Sequence, residues 1–130
     1  MNVYLCGEGR EKTGVEWIDK CLKYMKCKAV VQTNTNGVIQ NGLDAIPSNE
    51  GGRYYTIVCN HPLGGLDGLT LGSIVCHKFD SQMLYLVNDL LMNLKGLAPL
   101  CVPINKTGRN GRDFPKMVEA AFQTKKNVVM

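Results

Sequence analysis

Strand-like and helix-like stretches alternate from residue 54 to residue 130, and this predicts an α/β fold, a mostly parallel sheet flanked by helices. Three observations carry the expectation. Apolar, β-leaning runs recur at 54–59, 83–87 and 100–104. The first of them, Tyr-Tyr-Thr-Ile-Val-Cys, is apolar on both faces apart from Thr56, as a central strand covered on two sides would be. A Gly-rich turn then joins it to a helical stretch, the place where α/β proteins keep their reactive groups.

The 130 residues suit one domain. With 45% hydrophobic and 20% charged residues the chain reads as globular and able to bury a core. Its formal charge of +4, from 15 Lys+Arg against 11 Asp+Glu, is mild and compatible with an anionic substrate or a membrane surface. The few aromatics are not interleaved with basic residues, which speaks against nucleic acid as a partner. Cys59, Cys76 and Cys101, three of six cysteines, sit inside apolar runs, where free Cys behaves as a small hydrophobe. Reduced thiols in a cytoplasm are therefore expected. The first ten residues lack the charged and apolar regions of a signal peptide. No run approaches the ~20 apolar residues of a membrane span.

In chain order, residues 13–27 read as an amphipathic helix, so that 1–27 forms an N-terminal helical segment. Val15, Ile18, Leu22 and Met25 recur at helical spacing, and Lys20, Lys23 and Lys26 line another side. Packing on the core with a solvated lysine face is the preferred reading. The sharper alternative is a surface helix resting on anionic lipid with Trp17 near the interface. Residues 28–32 and 38–40 are expected to form a hairpin around Asn34-Thr35-Asn36-Gly37. Residues 41–42 and 47–52 are loop.

Beyond the Gly-rich turn, a helix of about ten residues is expected to start near Leu69 and carry Leu71, Ile74, Val75 and Phe79. A strand over 83–87 follows, then a short helix over 90–94 capped by Asn88 or Asp89 and ended by Lys95-Gly96. Pro103 marks the strand over 100–104 as an edge or a strand end. Residues 107–112 are a basic loop, and Asp113 caps a helix over 114–124, with Pro115 allowed in its first turn. An apolar strand over 127–130 has no turn after it, from which the domain is expected to be partial, cut short of its natural fold. A missing strand would leave an open sheet edge that invites self-association.

The turn itself runs Asn60-His61-Pro62-Leu63-Gly64-Gly65-Leu66-Asp67-Gly68. Pro62 biases His61 toward an extended backbone as it leaves the strand. Gly64, Gly65 and Gly68 remove side chains, so a ligand or another backbone can approach closely. A tight loop could fold the Asp67 carboxylate back onto one imidazole nitrogen of His61, leaving the other to take a proton from a substrate hydroxyl. Alternatively Asp67 only caps the following helix and His61 is a hydrogen-bonded loop residue. On residue types alone both readings stand. Cys59-x-His61 with Cys76-His77 could in principle supply four zinc ligands, but neither spacing matches a usual knuckle, so no metal is expected. A nucleotide-binding turn fails for want of G-x-G-x-x-G or a Walker lysine.

The nine-residue turn resembles the first motif of the glycerolipid and lysophospholipid acyltransferase superfamily. That superfamily usually spaces its His and Asp by four residues, and here five intervene. The form Asn-His-Pro-x-Gly-x-x-Asp-Gly is similar to that of a bacterial branch with hemolysin-type and lyso-ornithine-lipid-type members. Similarity continues through Val87-Asn88-Asp89-Leu90-Leu91-Met92-Asn93-Leu94 and Val102-Pro103-Ile104-Asn105-Lys106, over roughly residues 40–130.

The resemblance implies an acyltransferase that moves a fatty acyl group from the thioester of acyl carrier protein or coenzyme A, as co-substrate and not resident cofactor. The acceptor is a hydroxyl of a lyso- or glycero-type lipid, at the inner face of the cytoplasmic membrane. It makes His61 the general base and Asp67 the residue orienting it, with no covalent acyl-enzyme. It assigns Asn60, Gly64 and Gly65 to substrate binding. It also matches Lys106 to a basic residue, usually Arg, that holds the acceptor phosphate, with Arg109 and Arg112 close behind. Three cations near a helix N-terminus suit an anion, though Lys lacks the bidentate fork of Arg. Members of the superfamily continue from a strand like 127–130 into a Phe-Pro-Glu-Gly type motif that this chain does not contain. The rival expectation is a non-catalytic lipid- or partner-binding piece in which the His–Asp turn is architecture.

Overall fold

The computed structural model describes residues 12–60, 62–104 and 113–130. Among these, three helices flank a four-stranded sheet, and a separate hairpin stands apart from it. The chain begins with helix α1, Val15–Tyr24, continues through the hairpin strands β1, Gln32–Thr35, and β2, Val38–Asn41, and reaches strand β3, Thr56–Ile57. Helix α2, Gly65–Lys78, leads to β4, Met83–Asn88; the 3-10 turns Asp89–Asn93 and Ala98–Leu100 lead to β5, Cys101–Ile104. Helix α3, Phe114–Gln123, then returns the chain to β6, Asn127–Val129.

All pairings in the larger sheet are parallel and its order is β3-β6-β4-β5. The expected parallel α/β architecture is thus what the chain adopts. One placement differs. The run at 54–59 forms only a two-residue strand, and it lies at the sheet edge rather than the centre. The cause is β6, which inserts between β3 and β4 and takes the central position that the apolar 54–59 run had suggested for itself. Val58, just past β3, is accordingly 72% exposed. Pro103 sits in β5, at the other edge, where a missing N–H costs no ladder bond.

β6 is held centrally by an uncharged polar clamp. Asn127 is fully buried. Its Oδ1 accepts the Tyr55 N–H at 2.8 Å, and its Nδ2 donates to the Gln82 carbonyl at 2.8 Å. One side chain therefore stitches the entries of β3 and β4 to β6: it satisfies the Tyr55 N–H and adds a second bond to the Gln82 carbonyl, which also accepts the Asn127 N–H at 2.8 Å.

Helix α1 is shorter than 13–27, and of the expected stripe Ile18 is buried and Val15 and Leu22 pack half-buried on the core, while Trp17 and Cys21 widen the inward face. Trp17, Ile18 and Cys21 face inward, and Met25 is exposed. Trp17 lies against Gly96, where any β-carbon would overlap the indole, and the Gly14 N–H donates to the Gly96 carbonyl at 2.8 Å. This corrects the alternative that put Trp17 at a lipid interface: the indole belongs to the core. The helix ends by placing Lys26 at φ 52°, with Lys26 and Cys27 N–H groups bonding back to Lys23 and Leu22 carbonyls, a Schellman closure without glycine.

The hairpin forms as expected but three to four residues later in its first strand. Its two-residue turn is Asn36-Gly37, both at positive φ, as a primed turn requires. The Asn34 side chain accepts the Gly37 N–H at 3.0 Å.

Candidate active site

Helix α2 begins four residues earlier than the apolar periodicity indicated, because the glycines of the turn are partly helical. Gly64, at φ 68°, occupies the N-cap position and offers no side chain to the helix. Asp67 is the third helical residue, and its Oδ2 accepts the Leu63 N–H at 2.7 Å. This is the geometry of a capping residue reaching back across the helix start. It also sets a negative charge in the first turn, where the macrodipole favours it. Asp67 is therefore not the N-cap itself; it clasps the turn from inside the helix and fixes where the segment before Gly64 runs. Half-buried Asp67 and exposed Asn60 thus bracket the motif at the carboxyl end of β3. His61, Lys106, Arg109 and Arg112 lie outside the described residues.

A cavity of about 300 Å³ opens beside this turn. Gly64, Gly65 and Gly68 form one wall, and Tyr85 and Val87 of β4 with Val129 and Met130 at the end of β6 form another. Leu91, Leu94 and Leu97, from the segment after β4, close the side, and Cys59 completes the lining. The volume falls at the small end of ligand pockets. Apart from the Tyr85 hydroxyl, the Cys59 thiol and the Met130 thioether, its side chains are hydrocarbon, a lining that suits an apolar occupant. Gly64 and Gly65, expected to bind substrate, do line it.

Tyr85 is the residue that sequence reasoning missed. Its hydroxyl donates to the Gly68 carbonyl in the first turns of α2. Its ring end fills the space where Gly72 would otherwise carry a β-carbon. Glycines four apart share one helix face, and that spacing in Gly68 and Gly72 was the available signal that a large side chain from another element must lie there. Burial, and secondarily the neighbouring thiols of Cys76, Cys101 and Cys59, push the phenol above its ordinary range. It stays neutral and cannot serve as the base. Burial also raises the thiols of Cys76 and Cys101 to about 11, so neither is an activated nucleophile.

The second histidine is engaged elsewhere. His77 Nε2 lies 2.8 Å from Asp19 Oδ2, and Ser73 Oγ donates to Asp19 Oδ1 at 2.6 Å. The set contains the residue types of a hydrolytic triad, but the carboxylate stands between the serine and the imidazole, so His77 cannot deprotonate Ser73. The arrangement joins α1 to α2. His77 is thus bonded to a carboxylate, whereas the neighbouring Cys76 is buried in the core.

Comparison with known proteins places these features in context. An acyltransferase family matches residues 15–130. The chain is 48% identical over all 130 residues to a lyso-glycine lipid O-acyltransferase of Bacteroides thetaiotaomicron, covering 43% of that protein. It is 45% identical over the same length to a lyso-glycine lipid O-acyltransferase of Phocaeicola vulgatus, covering 42% of it. The chain thus spans less than half the length of these curated relatives. No solved structure matches it significantly.

Proposed function

Since the chain belongs to this acyltransferase family, we propose that its whole protein moves a fatty acyl group from a thioester to a hydroxyl of a lyso-type lipid. The donor is acyl carrier protein or coenzyme A, and a lyso-glycine lipid, named for both relatives, is the acceptor to try first. The observation that carries this reading is the largely apolar cavity walled by the glycines that flank Asp67 in the motif. An acyl chain in it gains roughly 0.8 kcal/mol per buried methylene, and its thioester end reaches the turn.

In the proposed step His61 accepts the proton of the acceptor hydroxyl while Asp67 holds the imidazole in the required tautomer. The oxygen attacks the thioester carbonyl carbon, the carbon–sulfur bond breaks, and the departing thiolate takes the proton back from the imidazolium. The products are an ester and a free thiol, with no acyl group on the protein. Lys106, Arg109 and Arg112 are the proposed cations for an anionic headgroup, and Asn60 is proposed to contact the substrate at the turn. Exposed Val58, just before the motif, and Leu63, within it, suit work against the inner face of the cytoplasmic membrane.

Steady-state thiol release by the full-length protein tests this. Release that requires both thioester and lyso-lipid supports direct transfer; a stoichiometric burst of thiol without acceptor would contradict it. The bond from Leu63 to Asp67 favours one rival, a lipid-binding turn in which the pair is architecture. That rival predicts vesicle binding with no thiol release.

A further inference from the structure

The cavity has a shallow end and a closed end, and their residues differ in burial. Leu91, Leu94 and Met130 at its rim are 39%, 38% and 47% exposed, whereas Tyr85 and Val129 are 7% and 3% exposed. At that inner end the Tyr85 side chain crosses from β4 to α2, its hydroxyl bonded to Gly68 and its tip against the bare Cα of Gly72. Behind it stands the Ile18 side chain, whose Cδ1 would lie 3.2 Å from a β-carbon on Gly72. The ring is therefore the partition between the cavity and the packed core.

The geometry points to Tyr85 as the residue that sets the depth of the cavity, and so the longest acyl chain the protein takes. This rests on the acyl-transfer reading above. The bulk of the ring blocks the end of the cavity, and Gly72 provides the room that lets it lie there. Two changes should then move chain length in opposite directions. Tyr85→Leu removes the partition and deepens the cavity. Gly72→Ala places a methyl group where the hydroxyl lies, which drives the ring outward and shortens it. Tyr85→Phe keeps the ring and with it the length profile.

The test is kcat/KM of the full-length protein for a series of saturated acyl thioesters of increasing length. For Tyr85→Leu the preference shifts to longer chains, by about fourfold per additional methylene buried. Gly72→Ala shifts it to shorter ones. A merely structural role would lower turnover of every donor alike, and an unchanged length profile in both variants overturns the proposal. Calorimetric binding of saturated fatty alcohols of graded length gives a second readout that needs no turnover. There the chain length at which affinity stops rising increases in Tyr85→Leu and decreases in Gly72→Ala; an unmoved plateau overturns the proposal as well. Wild-type protein without thiol release but with these plateau shifts would sink the enzyme reading while leaving the role of Tyr85 in cavity depth intact.

Discussion

Asp67 clasps the turn, and the proposed mechanism gives it a second job; a pair of substitutions separates the two. Its Oδ2 accepts the Leu63 N–H at 2.7 Å in the first turn of α2. A hydrogen bond to a charged acceptor contributes about 1.5–3 kcal/mol, and a carboxylate at a helix N-terminus adds roughly 0.3–1 kcal/mol. Asp67→Ala removes both, and because the site is half-buried the loss should fall near the lower bound, about 2 kcal/mol. Asp67→Asn keeps an amide oxygen where Oδ2 lies and loses only the charge, for about 1 kcal/mol. The chemistry responds differently. In the proposed step the negative charge of Asp67 holds the imidazole of His61 as a base, so acyl transfer should fall by roughly 10²–10⁴-fold in both variants. Urea unfolding measures the first effect and thiol release from the thioester the second. If Asp67→Asn retained activity within a few-fold of wild type, Asp67 would be a clasp for the turn and nothing more.

Other substitutions probe the frame that presents the turn. Asn127→Ala deletes two buried bonds and orphans the Tyr55 N–H; about 3–4 kcal/mol of stability should go, and a loss under 1 kcal/mol would mean β6 is not held as described. Trp17→Ala empties a buried indole site against Gly96 and should cost about 3–5 kcal/mol, with binding to anionic vesicles unchanged in any folded protein. A lipid-seated indole would give the reverse, little loss of stability and weaker vesicle binding. The thiols of Cys76 and Cys101 are raised by burial from 9.0 to about 11, so the folded state favours their neutral form. Their contribution to stability is fully present below pH 9 and is lost as pH rises from 9 toward 11. Replacing both with Ala should flatten that alkaline decline in urea midpoints, and an equally steep decline would assign it to other groups.

The alternation of elements was legible because parallel strands, buried on both faces, read as continuous apolar runs, and only a connection with its own length can join them. Strand order was not. Three residues, Asn-Val-Val, carry no mark that they belong between β3 and β4, and the buried amide that anchors them there works through tertiary contacts with Tyr55 and Gln82. The start of α2 was misplaced because glycines read as loop, whereas Gly64 at positive φ and the reach of Asp67 let the helix begin among them. In α1 the stripe through Val15, Ile18 and Leu22 was legible, but the burial of Trp17 beside it was not, since that depends on the bare surface of Gly96 in a distant segment. At the site, the motif was readable from residue types and spacing. The cavity was not, since it is assembled from four separate segments whose leucines and valines look like ordinary core.

The most direct measurement is turnover by full-length protein carrying His61→Ala, with acyl thioester and lyso-lipid both saturating. Loss of a general base predicts a fall in kcat of roughly 10²–10⁴-fold, with the urea midpoint close to wild type. Turnover within a few-fold of wild type in that folded variant would contradict proton abstraction by this imidazole.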